Sequence, residues 1–171
     1  MTVPKATEII AHLVNKHPRM IVGAGTVLDL ETARACLAAG AKFITSPGLD
    51  LEIVAFTSQA GVIAMPGAMT PSEIIAAHKA GADFVKLFPC AQLGGVDYLH
   101  ALKAPFPDIA FVAAGGVNQQ TAGKYLAAGA AAVGIGADLI PPRAIAVREG
   151  EWIQELARRY VKTVSYVRQP V

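Results

Sequence analysis

The feature that most constrains the fold of this chain is a regular alternation of short apolar segments with helical segments. Each apolar segment ends in Gly, Pro or Thr, and a helix pattern follows it. The segments that we predict to be strands are residues 20–26, 43–48, 62–67, 84–89, 110–117 and 131–137. Strands that alternate with crossover helices form a parallel sheet with right-handed connections. The sequence therefore predicts an α/β fold.

The predicted helices begin and end at residues with clear capping chemistry. Their N-cap side chains carry oxygens that accept hydrogen bonds from first-turn N–H groups: Asp29, Asp50 and Thr70. Their C-caps are glycines, which adopt the left-handed conformation without strain: Gly40, Gly81 and Gly129. A last amphipathic helix is predicted from Glu149 to about Val167.

Six strands in this order fit either an open doubly wound sheet or an incomplete barrel. The residues at the C-terminal ends of the strands favour the barrel: Thr26, Pro47, Pro66, Lys86 and Gly115–Gly116. That is the end where (β/α)₈ enzymes place their chemistry. A complete barrel has eight strands and typically about 250 residues, so this chain is short by roughly two units. Because the chain opens on a helix, we expect the two units on its N-terminal side. No linker or change of composition divides residues 1–171, which predicts a single domain.

One predicted strand contains a lysine in an otherwise apolar run. Side chains alternate along a strand, so Phe84, Lys86 and Phe88 share one face. Burying a charged ammonium in a strand that is covered on both faces costs free energy, and burial therefore lowers the pKa of the lysine. A neutral amine is a nucleophile that forms a Schiff base with a carbonyl compound. Alternatively, the lysine lies at the strand end and its charge reaches water. From this residue alone both interpretations stay open.

Composition and charge exclude several classes of partner. The formal net charge is +2, and the one basic cluster faces acidic residues on the same predicted helix, so we expect no nucleic-acid partner. Cys36 and Cys90 have neither a metal-site spacing nor a disulfide pattern. The sequence shows no signal peptide and no span of about 20 apolar residues, which predicts a cytoplasmic protein without a membrane partner.

Five ordered motifs resemble those of one enzyme family. They are IVGAGTVL, ITSPGLD, MPGAMTPSE, VKLFPCAQLGG and AAGGVN, and together they extend over nearly the whole chain. They are similar to motifs of the 2-keto-3-deoxy-6-phosphogluconate (KDPG) / 4-hydroxy-2-oxoglutarate aldolases, class I enzymes on a TIM barrel. The resemblance implies a carbon–carbon lyase that releases pyruvate plus glyceraldehyde 3-phosphate or glyoxylate. It also implies no metal or other cofactor, only small-molecule 2-keto acid partners, and a homotrimer.

The resemblance assigns roles to residues of this chain. The family's Schiff-base lysine corresponds to Lys86, and the phenylalanine of the same motif to Phe88, which would keep the site dry. Thr26 and Pro47 correspond to the threonine and proline of the pyruvate pocket. The resemblance therefore implies that Lys86 is catalytic and that the other three residues bind substrate.

Two glycine turns resemble the family's phosphate-binding turns. Gly115 and Gly116 follow a predicted strand, and bare N–H groups at the start of a helix favour an anion. A plain strand-to-helix turn is the alternative for the same residues. Gly136 lies in the second turn, where Ala137 replaces the family's frequent serine. Ala114 replaces a threonine that faces the substrate, which leaves the accepted sugar acid open.

The family's general acid/base glutamate and carboxylate-binding arginine have no counterpart in this sequence. Both stand in a strand that the resemblance places before Met1. A late start in the reading frame, a degenerate gene product and closure of the gap by oligomerisation all fit this pattern, and we favour the first. The alternative function is a catalytically impaired, phosphate-binding remnant of the family. A third is a phosphate-binding barrel enzyme without a Schiff base, such as an isomerase.

Overall fold

The computed structural model describes residues 1–167, which form two compact units that meet in the chain between Lys86 and Leu87. The elements of the first unit are α1 (Ala6–Lys16), β1 (Ala24–Gly25), α2 (Leu30–Ala38), β2 (Phe43–Thr45), α3 (Leu51–Gln59), β3 (Ile63–Met65), β4 (Gly67–Ala68) and α4 (Pro71–Lys79). Strand β5 (Val85–Leu87) contains the boundary. The second unit continues with α5 (Gly95–Lys103), β6 (Phe111–Ala114), α6 (Ala122–Ala127), β7 (Ala132–Gly134), α7 (Pro142–Ala146) and α8 (Gly150–Val167).

The strands pair in parallel within each unit. In the first unit β1 pairs with β2 and β2 with β3, so that Ile44 lies between Ala24 and Ala64. In the second unit β6 pairs with β7, with Ala114 opposite Gly134. Helices separate these strands in the chain, which confirms the predicted α/β class.

Each strand is shorter than the sequence pattern predicts. The first predicted strand covers residues 20–26, yet only Ala24–Gly25 is a strand, and Thr26 already has a φ of 58°. The third is divided into β3 and β4 at Pro66, which has no N–H to donate to a ladder. The described residues therefore contain seven strands that correspond to the six predicted ones.

The helix ends follow the predicted capping chemistry. Asp29 accepts a hydrogen bond from the Thr32 N–H at 2.6 Å, and Asp50 accepts one from the Glu52 N–H at 2.9 Å. Thr70 and Glu73 form a reciprocal capping box at the start of α4. Gly40, Gly81 and Gly129 have φ values of 92°, 94° and 99°. The hydrogen bonds confirm the predicted N-caps, and the positive φ values confirm the predicted glycine C-caps.

Both backbone polar groups of Ala64 in β3 are hydrogen-bonded to one segment of the first unit, residues 83–84. The Asp83 carboxylate accepts a hydrogen bond from the Ala64 N–H at 2.8 Å. The N–H groups of Asp83 and Phe84 donate to the Ala64 carbonyl at 3.0 and 3.3 Å. Ala64 is 2% exposed, so these bonds satisfy buried polar groups.

Among residues 1–167, none of the helices combines the length and the apolar character that crossing a membrane requires.

Candidate active site

Lys86 lies in the middle of β5, between two fully buried neighbours. Val85 and Leu87 are each 1% exposed, whereas Lys86 is half-buried on the opposite face. This confirms the predicted alternation along the strand. The Lys86 N–H donates to the Pro66 carbonyl at 2.9 Å, which fixes the backbone beneath the side chain. Removal from water lowers the pKa of the Lys86 amine below its ordinary value of 10.5, because burial disfavours the charged form.

The turn after β2 lies directly against the start of β4. A Cβ atom on Gly67 would be 2.2 Å from the Pro47 carbonyl oxygen, so the two backbones approach as closely as glycine allows. The Ser46 hydroxyl donates to the Gly48 carbonyl at 2.6 Å and holds this turn. Pro66, next to Gly67, is the backbone partner of Lys86. Within the first unit, Pro47 and Lys86 are therefore connected through one short segment.

Thr26 has a conformation that a β-branched residue rarely adopts. Its φ is 58°, in the left-handed region. The Val27 N–H donates to the Thr45 carbonyl at 3.2 Å, which places this turn beside the end of β2. The amino group of Met1 donates to the carbonyls of Gly25 and Thr26. Strain of this kind concentrates at functional sites and costs about 1–3 kcal/mol.

A cavity of about 340 Å³ lies next to Thr26 in the first unit. It is lined by the N-terminal residues, one face of α1 and residues 22–26, most of them apolar. Its lining includes Thr26 but neither Pro47 nor Lys86. This cavity therefore does not unite the three predicted residues of the first unit.

The glycine pair after β6 forms a left-handed turn in the second unit. Gly115 and Gly116 have φ values of 85° and 81°. A Cβ atom on Gly115 would lie 3.0 Å from the Phe88 ring and 2.8 Å from Pro89 Cα, and one on Gly116 would lie 2.5 Å from Ala91 Cβ. The structure thus packs the turn against the segment that carries Phe88. The sequence signal for this contact was the two adjacent glycines, which leave room for a second backbone.

The glycine pair does not stand at the start of a helix, so that part of the prediction is wrong. Helix α6 begins only at Ala122. In between, the Asn118 side chain accepts hydrogen bonds from the N–H groups of Gln120 and Thr121, at 3.0 and 3.1 Å, and forms a local turn. Any attraction for an anion here comes from the N–H groups of the glycine turn and not from a helix dipole.

The second glycine turn is exposed and open. Gly136 lies two residues beyond Gly134, at the same end of the β6–β7 pair as Gly115. The Gly136 carbonyl accepts hydrogen bonds from the Leu139 and Ile140 N–H groups, both at 3.0 Å. A Cβ atom at Gly136 would have no neighbour within 4 Å. Gly136 is therefore accessible to a small molecule from solvent.

Sequence reasoning did not single out Asp138, which follows this turn. Its carboxylate accepts a hydrogen bond from the Tyr160 hydroxyl of α8. Burial and the Asp138 charge raise the pKa of Tyr160, because both disfavour the phenolate. A carboxylate two residues from Gly136 repels an anion that approaches this turn.

Among the described residues, no three His, Cys, Asp or Glu side chains are grouped so that they could hold a metal ion.

Comparison with known proteins identifies the family. A sequence model of the family described as KDPG and KHG aldolase matches residues 1–156. The chain belongs to the KDPG and KHG aldolase family. This confirms the resemblance drawn from the five motifs.

Relatives of known name support the assignment. The 2-dehydro-3-deoxy-phosphogluconate aldolase of Pseudomonas aeruginosa is 38% identical over 145 residues, which are 85% of this chain and 65% of that protein. The 2-dehydro-3-deoxy-6-phosphogalactonate aldolase of Escherichia coli K12 is 33% identical over 170 residues, 98% of this chain and 79% of the relative. The chain thus spans about two thirds to four fifths of the relatives it matches.

A solved structure of the family has the same fold. The KDPG aldolase of Legionella pneumophila, determined with pyruvate captured as a covalent carbinolamine intermediate, superposes with a TM-score of 0.85 at 32% identity. The superposition covers 91% of this chain and 76% of that one. The predicted fold class, an α/β chain of the TIM-barrel aldolase type, is confirmed.

Proposed function

We propose that this chain carries out class I aldol cleavage of a 2-keto-3-deoxy-6-phospho sugar acid, or of 4-hydroxy-2-oxoglutarate, with Lys86 as the Schiff-base residue. The observation that carries the proposal is the position of Lys86. It is a half-buried amine with a lowered pKa, in the motif that the resemblance aligns with the family's Schiff-base lysine. A larger neutral fraction at ordinary pH makes the amine a better nucleophile.

The proposed cleavage begins at the substrate ketone. Lys86 Nζ attacks C2 of the 2-keto acid, and loss of water from the carbinolamine gives an iminium. The electron pair of the C3–C4 bond then moves toward the iminium, and the C4 hydroxyl gives up its proton to a base. The products are an enamine on Lys86 and a free aldehyde. Protonation of the enamine at C3 and addition of water release pyruvate and restore the amine.

The other predicted residues have supporting roles in this proposal. Thr26 and Pro47 bind the pyruvate half of the substrate, and Phe88 excludes water near the amine. The N–H groups of Gly115, Gly116 and Gly136 bind the phosphate. The general acid/base and the carboxylate-binding arginine have no assigned residue in this sequence.

The first experiment traps the covalent intermediate. The protein is incubated with pyruvate and borohydride, and its intact mass and peptide map are measured. We expect one reduced pyruvate adduct, located at Lys86. Lys86→Met should abolish it, whereas Lys79→Met, which removes an exposed lysine at the end of α4, should not.

The same experiment separates the alternatives. An adduct that persists in Lys86→Met would refute the assignment of the reactive lysine. A folded protein that forms no adduct but still binds a phosphorylated acid would favour the phosphate-binding remnant. The single domain over residues 1–171, the homotrimer and the cytoplasmic location stay predictions.

A further inference from the structure

Cys90 connects the glycine turn after β6 to helix α6. Its thiol donates to the Gly115 carbonyl at 3.3 Å, and its N–H donates to the Ala114 carbonyl at 2.8 Å. The Tyr125 hydroxyl of α6 is hydrogen-bonded to the same thiol. Cys90 and Tyr125 are each 2% exposed. The three groups therefore form a buried chain of hydrogen bonds from α6 to the turn.

This chain of bonds fixes the orientation of one peptide group. The Gly115 carbonyl and the Gly116 N–H belong to the same planar peptide and point in opposite directions. The carbonyl accepts from Cys90 and also from the Ala91 N–H at 3.1 Å. A peptide between two glycines rotates easily unless its polar atoms are held. Two donors on the carbonyl side therefore direct the Gly116 N–H away from residues 88–91.

The Gly116 N–H is left available by this arrangement. No residue in the part of the chain that the structure describes accepts a hydrogen bond from it. Gly116 is also exposed. An exposed, oriented N–H in a left-handed turn is a donor that an anionic oxygen can use without rearrangement of the backbone.

We propose that Cys90 is a positioning residue that, held by Tyr125, directs the Gly116 N–H toward the phosphate of the substrate. The inference rests on the phosphate-binding role given above to the glycine turn. It assigns Cys90 no chemistry of its own, since the thiol is buried and acts only through the peptide that it holds.

The experiment measures binding of 3-phosphoglycerate and of glycerate by calorimetry. Cys90→Ala removes the donor to Gly115 and should weaken 3-phosphoglycerate binding by about 3- to 10-fold, the effect of one neutral hydrogen bond. Cys90→Ser keeps a donor and an acceptor and should bind within about 2-fold of the wild type, because the small change in bond length is the main difference. Tyr125→Phe should have an effect between the two.

Two controls separate positioning from general loosening. Cys36→Ala removes a second buried thiol, which contacts Met1 Sδ at 3.6 Å and no glycine turn, and should leave 3-phosphoglycerate binding unchanged. Circular dichroism and unfolding curves establish that each variant is folded. The rate of pyruvate trapping at Lys86 should be the same in Cys90→Ala and in the wild type.

The outcomes keep the two proposals apart. If Cys90→Ala and the wild type bind 3-phosphoglycerate with equal affinity, the role of Cys90 is overturned. The role is also overturned if Cys90→Ala loses as much affinity for glycerate as for 3-phosphoglycerate. A wild type that forms the pyruvate adduct but does not bind 3-phosphoglycerate overturns the phosphate turn and the role of Cys90 with it. If Cys90→Ala selectively loses affinity for 3-phosphoglycerate while neither it nor the wild type forms a pyruvate adduct, the positioning role is supported and the aldolase proposal is refuted.

Discussion

Replacing Gly116 by alanine tests whether the glycine turn is as tightly packed as its geometry requires. The residue has a φ of 81°, and the new Cβ would lie 2.5 Å from Ala91 Cβ. A left-handed conformation costs a non-glycine residue roughly 1–2 kcal/mol. Forcing one methyl group into a packed position costs about 1–3 kcal/mol. Alanine also makes the unfolded chain less flexible than glycine does, which offsets about 0.4–1 kcal/mol of this destabilisation. We expect Gly116→Ala to lower the free energy of unfolding by about 1–5 kcal/mol.

Gly136→Ala is the matched control in the same unit. Its Cβ would have no neighbour within 4 Å, and its φ lies outside the left-handed region. We expect its stability to equal that of the wild type or to exceed it by up to about 1 kcal/mol. Urea denaturation followed by circular dichroism measures both variants. Equal stability of Gly116→Ala and Gly136→Ala would refute the packing argument for the turn.

Three further outcomes follow from the structure. Lys86→Met should be more stable than the wild type at pH 7, because burial disfavours the lysine ammonium in the folded state. As the pH rises toward 10.5, the amine loses its proton in both states, so the difference in melting temperature should shrink; an unchanged difference would contradict the lowered pKa. Thr70→Ala should lower the free energy of unfolding by about 1 kcal/mol, since it removes the cap of α4, whereas Ser72→Ala, beyond the cap, should cost less. Burial raises the pKa of the Cys36 and Cys90 thiols, so the native protein should react with a colorimetric thiol reagent much more slowly than the unfolded chain; immediate reaction of either thiol would count against its burial.

The parts of the fold that sequence reasoning predicted correctly depend on local chemistry. The alternation of Val85, Lys86 and Leu87 follows from strand geometry and appears in their burial. The caps at Asp29 and Thr70 depend on atoms within three residues of each other. Such features need no knowledge of the rest of the chain, and the structure reproduces them.

The incorrect boundaries have two physical causes. The predicted strands end in turn residues that interrupt the hydrogen-bonded ladder: Thr26 has a left-handed backbone, and Pro66 has no N–H to donate. Helix α6 does not begin at the glycine pair, because the side chain of Asn118 competes for the backbone N–H groups that a helix would use.

Contacts between distant segments left no periodic signal in the sequence. The hydrogen bond from Tyr125 to Cys90 and the one from Tyr160 to Asp138 each join a helix to a loop elsewhere in the chain. Neither residue pair has a characteristic spacing or motif. They are visible only once the chain is folded, because tertiary packing alone brings the partners together.

The carboxylate of Asp83 has a consequence for which backbone groups of β3 another strand can reach. Exposed strand edges offer rows of unpaired N–H and C=O groups to other molecules, and this is a common route to aggregation. At Ala64 both backbone groups are already occupied by residues of the same unit. A foreign strand would have to displace a charged oxygen to pair there. Asp83 therefore closes this position of β3 to strand pairing from outside the chain.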